Sequence, residues 1–335
     1  MAKIAILGSG GFGTALAIMA DKYDNEVTLW SAFENEIEAI RKDGEHRKLL
    51  PGVPVSPTIT LTTDMNCVKN KDLIIIAVPS FVMRKICSQL KQYYDNTAVI
   101  ASISKGLEEG SLKRLSEVID EELGCCSVAL SGPSHAEEVA RGIPTTIVAG
   151  CPDLSTAQFV QDILMNEVFR IYSNSDIAGV EIGAALKNII ALAAGISDGI
   201  GLGDNTKAAL MTRGLTEITR LGVALGAKSE TFSGLSGIGD LIVTCTSMHS
   251  RNRRAGIFIG QGLSANDAIE RVGMTVEGYH ATKTAWELAK KVNINMPIVD
   301  QMYKILFENK SPQSAIKDLM NRPKKHESEQ DFMNK

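Results

Sequence analysis

The polarity pattern changes character partway along the chain. In the first half, short apolar runs at residues 3–7, 27–30, 72–78, 97–103, 127–130, 144–149 and 168–172 alternate with longer stretches of mixed polarity. Continuous apolar runs of this kind suit strands that are covered on both faces, as in a parallel sheet. The stretches between them have room for helices, and Pro79 is placed to open one at its first turn. The pattern predicts an α/β domain with a Rossmann-type doubly wound sheet and right-handed crossovers.

After Tyr172 the strand pattern stops. Ser173, Asn174, Ser175 and Asp176 form a polar bridge and supply a helix cap. An almost wholly apolar helix is predicted over residues 177–196, and its second half has no solvated face. A loop at 199–204 precedes a second long helix, from Asn205 or Thr206 to about Leu225. Shorter helices are predicted near 237–244, 251–260 and 265–270, and longer ones over 276–291 and 298–307. The organisation is therefore a dinucleotide-type domain at 1–175, an all-helical domain at 176–320 and a polar, poorly ordered tail at 321–335. No internal repeat is present.

Composition adds exclusions. The 335 residues are 44% hydrophobic and 22% charged, with a formal net charge of −4. That balance does not suggest a nucleic-acid or membrane-surface partner, so an anionic ligand must meet a local basic cluster. The N-terminal apolar run is too short for a signal-peptide core, and Glu181 and Lys187 interrupt the long apolar helix, which favours a buried core helix over a membrane span. The cysteines and histidines show no zinc spacing, and reduced thiols in a cytoplasmic protein are expected.

The first strand runs into Gly8-Ser9-Gly10-Gly11-Phe12-Gly13, a GxGxxG followed by a helical run and a second strand. In that context the glycines fit a pyrophosphate cradle: a tight turn, a close backbone approach, and close helix–strand packing, at a helix N-terminus. The position that separates NAD from NADP is uninformative. The second strand ends Trp30-Ser31-Ala32-Phe33-Glu34, with Glu34 slightly too far along and Arg41 and Arg47 further still. The cofactor is read as NAD or NADP.

Three predicted strand ends carry further candidates: Val78-Pro79-Ser80-Phe81, Lys105-Gly106 and Ser131-Gly132-Pro133-Ser134. In the helical half, Lys187 and Asn188 interrupt the apolar helix. A buried ammonium is costly and its pKa is lowered by burial, which suits proton exchange near neutral pH. The rival reading has Lys187 snorkelling to water. Ser250 reads as the N-cap of a helix whose first turn holds Arg251 and Asn252, where a cation is favoured only if an anion occupies that end. Arg253 and Arg254 read as an ordinary solvated basic face. Asp240, among small residues, is a candidate to accept a hydroxyl or pair with Lys187, or else an N-cap. His135 and His249 rank below Lys187 as acid/base candidates, because neither is read as having a neighbouring carboxylate to fix its tautomer.

The glycine loop, the Lys105-Gly106 and Ser131-Gly132-Pro133-Ser134 strand ends, Leu186-Lys187-Asn188, Gly237-Ile238-Gly239-Asp240-Leu241 and Ser250-Arg251-Asn252 resemble the NAD(P)-dependent glycerol-3-phosphate dehydrogenases, in the bacterial form that serves phospholipid synthesis. One departure is Ala184, where the family usually has glycine. The resemblance implies reversible reduction of dihydroxyacetone phosphate, with Lys187 as the acid/base. It implies substrate contacts from Lys105, Gly132, Ser134, Lys187, Asn188, Asp240, Thr244, Ser250, Arg251 and Asn252. Cofactor contacts would come from Gly8, Ser9, Gly10, Gly11, Phe12, Gly13, Lys105, Ala136, Arg251, Val276 and Glu277. Lys105 would also lower the pKa of Lys187 by like-charge repulsion. A cytoplasmic homodimer is implied. The alternatives are a dehydrogenase of a 3-hydroxy acid, which needs no phosphate anchor, and a non-catalytic sensor that binds a dinucleotide without turnover.

Overall fold

The computed structural model describes residues 1–324 and 326–327. The expectation for the tail at 321–335 therefore falls in large part outside the described residues. The chain divides into two compact units: Met1–Ala185 with Glu230–Asp240, and Leu186–Ser229 with Leu241–Lys335. The division lies inside the long apolar helix and not at the polar bridge before it, and a short later segment returns to the first unit.

The first unit is built on eight strands: β1 (Lys3–Leu7), β2 (Glu26–Trp30), β3 (Thr60–Thr62), β4 (Leu73–Ile76), β5 (Val99–Ser102), β6 (Ser127–Ser131), β7 (Thr145–Gly150) and β8 (Phe169–Asn174). Between them run α1 (Gly11–Lys22), α2 (Glu34–Asp43), α3 (Met83–Leu90), α4 (Leu115–Leu123), α5 (Ala136–Val139) and α6 (Leu154–Leu164). The sheet order is β3-β2-β1-β4-β5-β6-β7-β8. Strand β1 has neighbours on both sides from different directions of winding, which makes its carboxyl end the switch point where such sheets bind ligands. Alternate residues of β1 enter opposite cores. Ile4 and Ile6 pack with α1 residues such as Leu16, and Ala5 and Leu7 pack with α3 and α4 residues such as Met83 and Val118. Coverage of both faces explains the unbroken apolar runs.

Three local features depart from the sequence expectation. Strand β7 pairs antiparallel with β6, so the sheet is not built throughout from the expected right-handed crossovers. The connection between them carries only the one-turn α5, which packs on α1, so no helix crosses the sheet to bring β7 back parallel. The short edge strand β3 has no apolar signature and was not anticipated. Pro79 caps a 3₁₀ turn, Ser80–Val82, ahead of α3 and does not itself sit in a first helical turn.

The remaining helices are α7 (Ile177–Ile200), α8 (Asp204–Ala224), α9 (Ser229–Phe232), α10 (Asp240–Thr246), α11 (Arg251–Gly260), α12 (Ala265–Val272), α13 (Glu277–Lys291), α14 (Pro297–Phe307) and α15 (Pro312–Met320). Asp176 starts α7 as expected, accepting from the Gly179 N–H at 3.0 Å. Among the described residues α7 is the one helix long and apolar enough to cross a bilayer, but its apolar window is 94% buried, as for a core helix. Helix α10 continues directly from a π-helical turn, Leu235–Gly239. Such turns are rare and concentrate at functional sites.

Candidate functional site

In the first unit the glycine loop leaves β1 with Gly8 at φ 128°, in the region that favours glycine. A Cβ there would lie 2.4 Å from the Ala77 carbonyl oxygen, at the end of β4, so the two central strand ends meet backbone to backbone. At Gly10, by contrast, a Cβ would have no neighbour within 4 Å. Gly10 caps α1 without any side-chain hydrogen bond, which leaves the first N–H groups of the helix for a ligand. Open space above a bare helix end fits a pyrophosphate. Ala136, at the start of α5, flanks this loop, with its Cβ 3.7 Å from where a Gly11 Cβ would be. Phe12 is half-buried against the sheet core.

The hydroxyl of Ser9 is turned inward. It donates to Glu36 at 2.6 Å, and Ser31 at the end of β2 donates to the same carboxylate oxygen at 2.8 Å. Glu34 instead accepts from Thr63 at 2.7 Å. Glu36 is the carboxylate at this strand end, and sequence reading missed it because it sits within α2. His46 is buried beside this group, and burial pushes its pKa down despite the nearby Glu36.

Lys105, just after β5, donates to the Gly132 carbonyl at 3.1 Å and to Asp240 Oδ2 at 2.8 Å. Ser134 donates to the same carbonyl at 3.0 Å. Lys105, Gly132, Ser134 and Asp240 thus form one cluster in the first unit, with Asp240 only 1% exposed. The ammonium of Lys105 has its own counter-ion.

In the second unit Lys187 does not snorkel. It is 4% exposed, and its Nζ donates to the Thr244 hydroxyl at 2.7 Å. Thr244 lies in α10. Asn188, also buried, accepts from Asn252 Nδ2 at 2.9 Å. The Gly278 N–H donates to Asn252 Oδ1 at 2.8 Å, which fixes that amide with its NH₂ toward Asn188. Asn188 is thereby oriented from the start of α13, where Val276 and Glu277 lie. Ser250 caps α11 as expected, accepting from the Arg253 N–H at 3.2 Å, and Arg251 is exposed in the first turn.

Helices α7 and α11 cross at glycines. A Cβ on Gly195 would lie 2.0 Å from the Arg253 carbonyl oxygen, and one on Gly256 2.1 Å from that of Leu192. The four-residue spacings Gly195/Gly199 and Gly256/Gly260 carry this crossing and were visible in the sequence. The close approach lets the short Asn252 side chain reach Asn188.

Arg253 does not belong to a solvated face. Arg253 donates to Asp198 through Nε at 2.8 Å, pairs with it through Nη2 at 2.7 Å, and donates to the Thr246 carbonyl at 2.7 Å. It ties α7 to the last turn of α10 from α11. Arg254 Nε is buried without a hydrogen-bond partner among the described residues. Pattern reading missed Arg253 because a basic run looks the same whether or not a carboxylate waits on another helix.

Residues 3–157 match the family model for the NAD-dependent glycerol-3-phosphate dehydrogenase N-terminus, and residues 176–317 that for its C-terminus. A glycerol-3-phosphate dehydrogenase [NAD(P)+] of Thermoanaerobacter sp. is 52% identical over 326 residues, covering 97% of this chain and 98% of the relative. One of Clostridium perfringens is 52% identical over 329 residues, covering 98% and 99%. The crystal structure of the Coxiella burnetii glycerol-3-phosphate dehydrogenase superposes with a TM-score of 0.93 at 39% identity, covering 96% of this chain and 99% of that one. The Plasmodium falciparum enzyme gives 0.87 at 27% identity, with 97% of each chain covered. The chain belongs to the NAD-dependent glycerol-3-phosphate dehydrogenase family.

Proposed function

We propose that this chain is an oxidoreductase that reduces dihydroxyacetone phosphate to sn-glycerol 3-phosphate with NADH or NADPH, reversibly. The observation that supports this most is the buried Lys187 ammonium held by Thr244, with the oriented Asn188–Asn252 pair beside it in sequence and a capped helix end at Arg251. The glycine loop, with Ala136, Val276, Glu277, Lys105 and Arg251, is assigned to the dinucleotide. When bound, the nicotinamide supplies a hydride to the carbonyl carbon.

The remaining chemistry falls to the chain. Negative charge grows on the carbonyl oxygen, and Lys187 Nζ donates the proton that quenches it. Thr244 Oγ1 accepts one ammonium N–H and so fixes the direction of the others. In reverse, Lys187 takes the hydroxyl proton. Ser250, Arg251 and Asn252 hold the phosphate at the α11 N-terminus, where charge and helix dipole act together. Lys105, Gly132, Ser134, Asn188 and Asp240 supply the other substrate contacts. Anchoring the phosphate spends remote binding energy on orienting a small ketone.

The test compares Arg251→Ala on dihydroxyacetone phosphate and on unphosphorylated dihydroxyacetone. A selective loss of kcat/KM for the phosphorylated substrate, by about 100-fold as for a charge-assisted contact, is expected. Equal losses on both would contradict the phosphate assignment. We further read the protein as a cytoplasmic homodimer that supplies glycerophospholipid synthesis; sedimentation equilibrium tests the dimer.

A further inference from the structure

The relatives are NAD(P)+ enzymes by name, and the first unit contains a feature that bears on the choice between the two dinucleotides. Glu36 Oε2 accepts from Ser9, inside the glycine loop, and from Ser31, at the end of β2. Among the described residues Oε1 accepts no hydrogen bond. One carboxylate oxygen is thus locked to the loop and the other is left as an acceptor. The ribose next to the pyrophosphate in a bound dinucleotide must pass close to whatever is bonded to the pyrophosphate loop. A carboxylate there accepts from ribose hydroxyls and repels a phosphate.

We infer that Glu36 makes this chain prefer NADH over NADPH, accepting the adenosine 2′-hydroxyl and rejecting a 2′-phosphate. The inference rests on the dinucleotide-dependent reading above.

The surroundings supply little to offset that charge. Strand β2 is followed by Ala32 and Phe33, both exposed and neither cationic. Arg41 is turned to the Leu61 carbonyl at 3.2 Å. Arg47 is paired with Glu45 at 3.1 Å and Asp43 at 3.4 Å. His46 interacts electrostatically with Glu36, and its burial favours the neutral ring. Lys42 and Lys48 are exposed to solvent, where their charge is screened. A 2′-phosphate carries nearly two negative charges at neutral pH, so it meets an acceptor-only group with no dedicated cation.

The test is titration of the intact protein with NADH and NADPH by quenching of protein fluorescence, without substrate. Thermal shifts with NAD+ and NADP+ serve as a second readout. Wild type is expected to bind NADH at least about tenfold tighter than NADPH, the factor that corresponds to one modest charge contact. Glu36→Gln keeps the shape and the serine acceptor but removes the charge. It is expected to tighten NADPH by about tenfold and change NADH by less than about threefold. Equal or tighter NADPH binding by wild type overturns the inference, and needs no variant. So does an unchanged ratio in a Glu36→Gln protein that still binds NADH. If wild type binds neither dinucleotide, the proposed function falls as well; if it binds both equally, only the role of Glu36 falls.

Discussion

Replacing Gly256 with alanine tests whether the α7–α11 crossing organises the site. In an exposed helix the change would stabilise, because alanine is the better helix former by about 1 kcal/mol. Here the new methyl would start 2.1 Å from the Leu192 carbonyl oxygen and 2.9 Å from Gly195 Cα. Real Cβ atoms essentially never approach closer than 3.0 Å, so the helices must part by roughly an ångström. Overpacking of this kind costs about 1–3 kcal/mol. Parting the helices also stretches the 2.9 Å Asn252–Asn188 bond beyond hydrogen-bond range, adding about 1 kcal/mol for a buried pair. After the propensity gain is subtracted, the net loss is about 1–3 kcal/mol, or a Tm fall of roughly 1.5–4 °C for a chain of this length. Differential scanning fluorimetry reads the Tm, and steady-state kinetics should show a raised KM for dihydroxyacetone phosphate with dinucleotide affinity unchanged. A Gly256→Ala protein that melts within a degree of wild type, or above it, with an unchanged KM would refute the reasoning.

Two other predictions concern buried carboxylates outside the proposed chemistry. Glu217, on α8, accepts from the Ile298 N–H at 2.9 Å and from that of Val299 at 3.4 Å, capping α14, and burial raises its pKa to about 7. The folded state therefore holds a proton that the unfolded chain releases near its ordinary value of 4.5, so stability falls as pH rises from about 4.5 to 7 and then levels off. Over that window wild type should lose roughly 3 kcal/mol relative to Glu217→Gln, read from urea midpoints at several pH values; parallel pH profiles would contradict it. Glu181, on α7, accepts from Arg114 at 2.9 Å and from the Ser116 N–H at 2.8 Å, while burial pushes its pKa up. Arg114→Ala leaves that carboxylate without its cation and should cost about 3–5 kcal/mol in denaturant unfolding, whereas a loss under about 1 kcal/mol would mean that the serine contacts suffice.

Much of this arrangement was legible along the chain because it rests on local patterns. Apolar runs marked seven strands, the glycine loop followed β1, and Ser250 announced the cap of α11. Lys187 and Asn188 stood out as polar residues in an apolar helix, and both are buried with partners. What escaped depends on partners distant in sequence. The antiparallel β7 is set by what its connection packs on, which periodicity does not encode. Arg253 was misread because Asp198 lies 55 residues away, and the charge partner of Lys105 is Asp240, 135 residues on. Glu36 was passed over because its side chain reaches back from α2 to the strand end. The extra methyl at Ala184 is accommodated, buried at 3% exposure.

The central claim is that Lys187 moves the proton in a dinucleotide-dependent reduction of dihydroxyacetone phosphate. Oxidation of NADH and of NADPH, measured separately with that substrate, tests it most directly when wild type is compared with Lys187→Ala. Wild type is expected to turn over, and Lys187→Ala to show a kcat lowered by about 10²–10⁴ with dinucleotide binding retained. A variant rate within a few-fold of wild type, or no turnover by wild type with either dinucleotide, would contradict it.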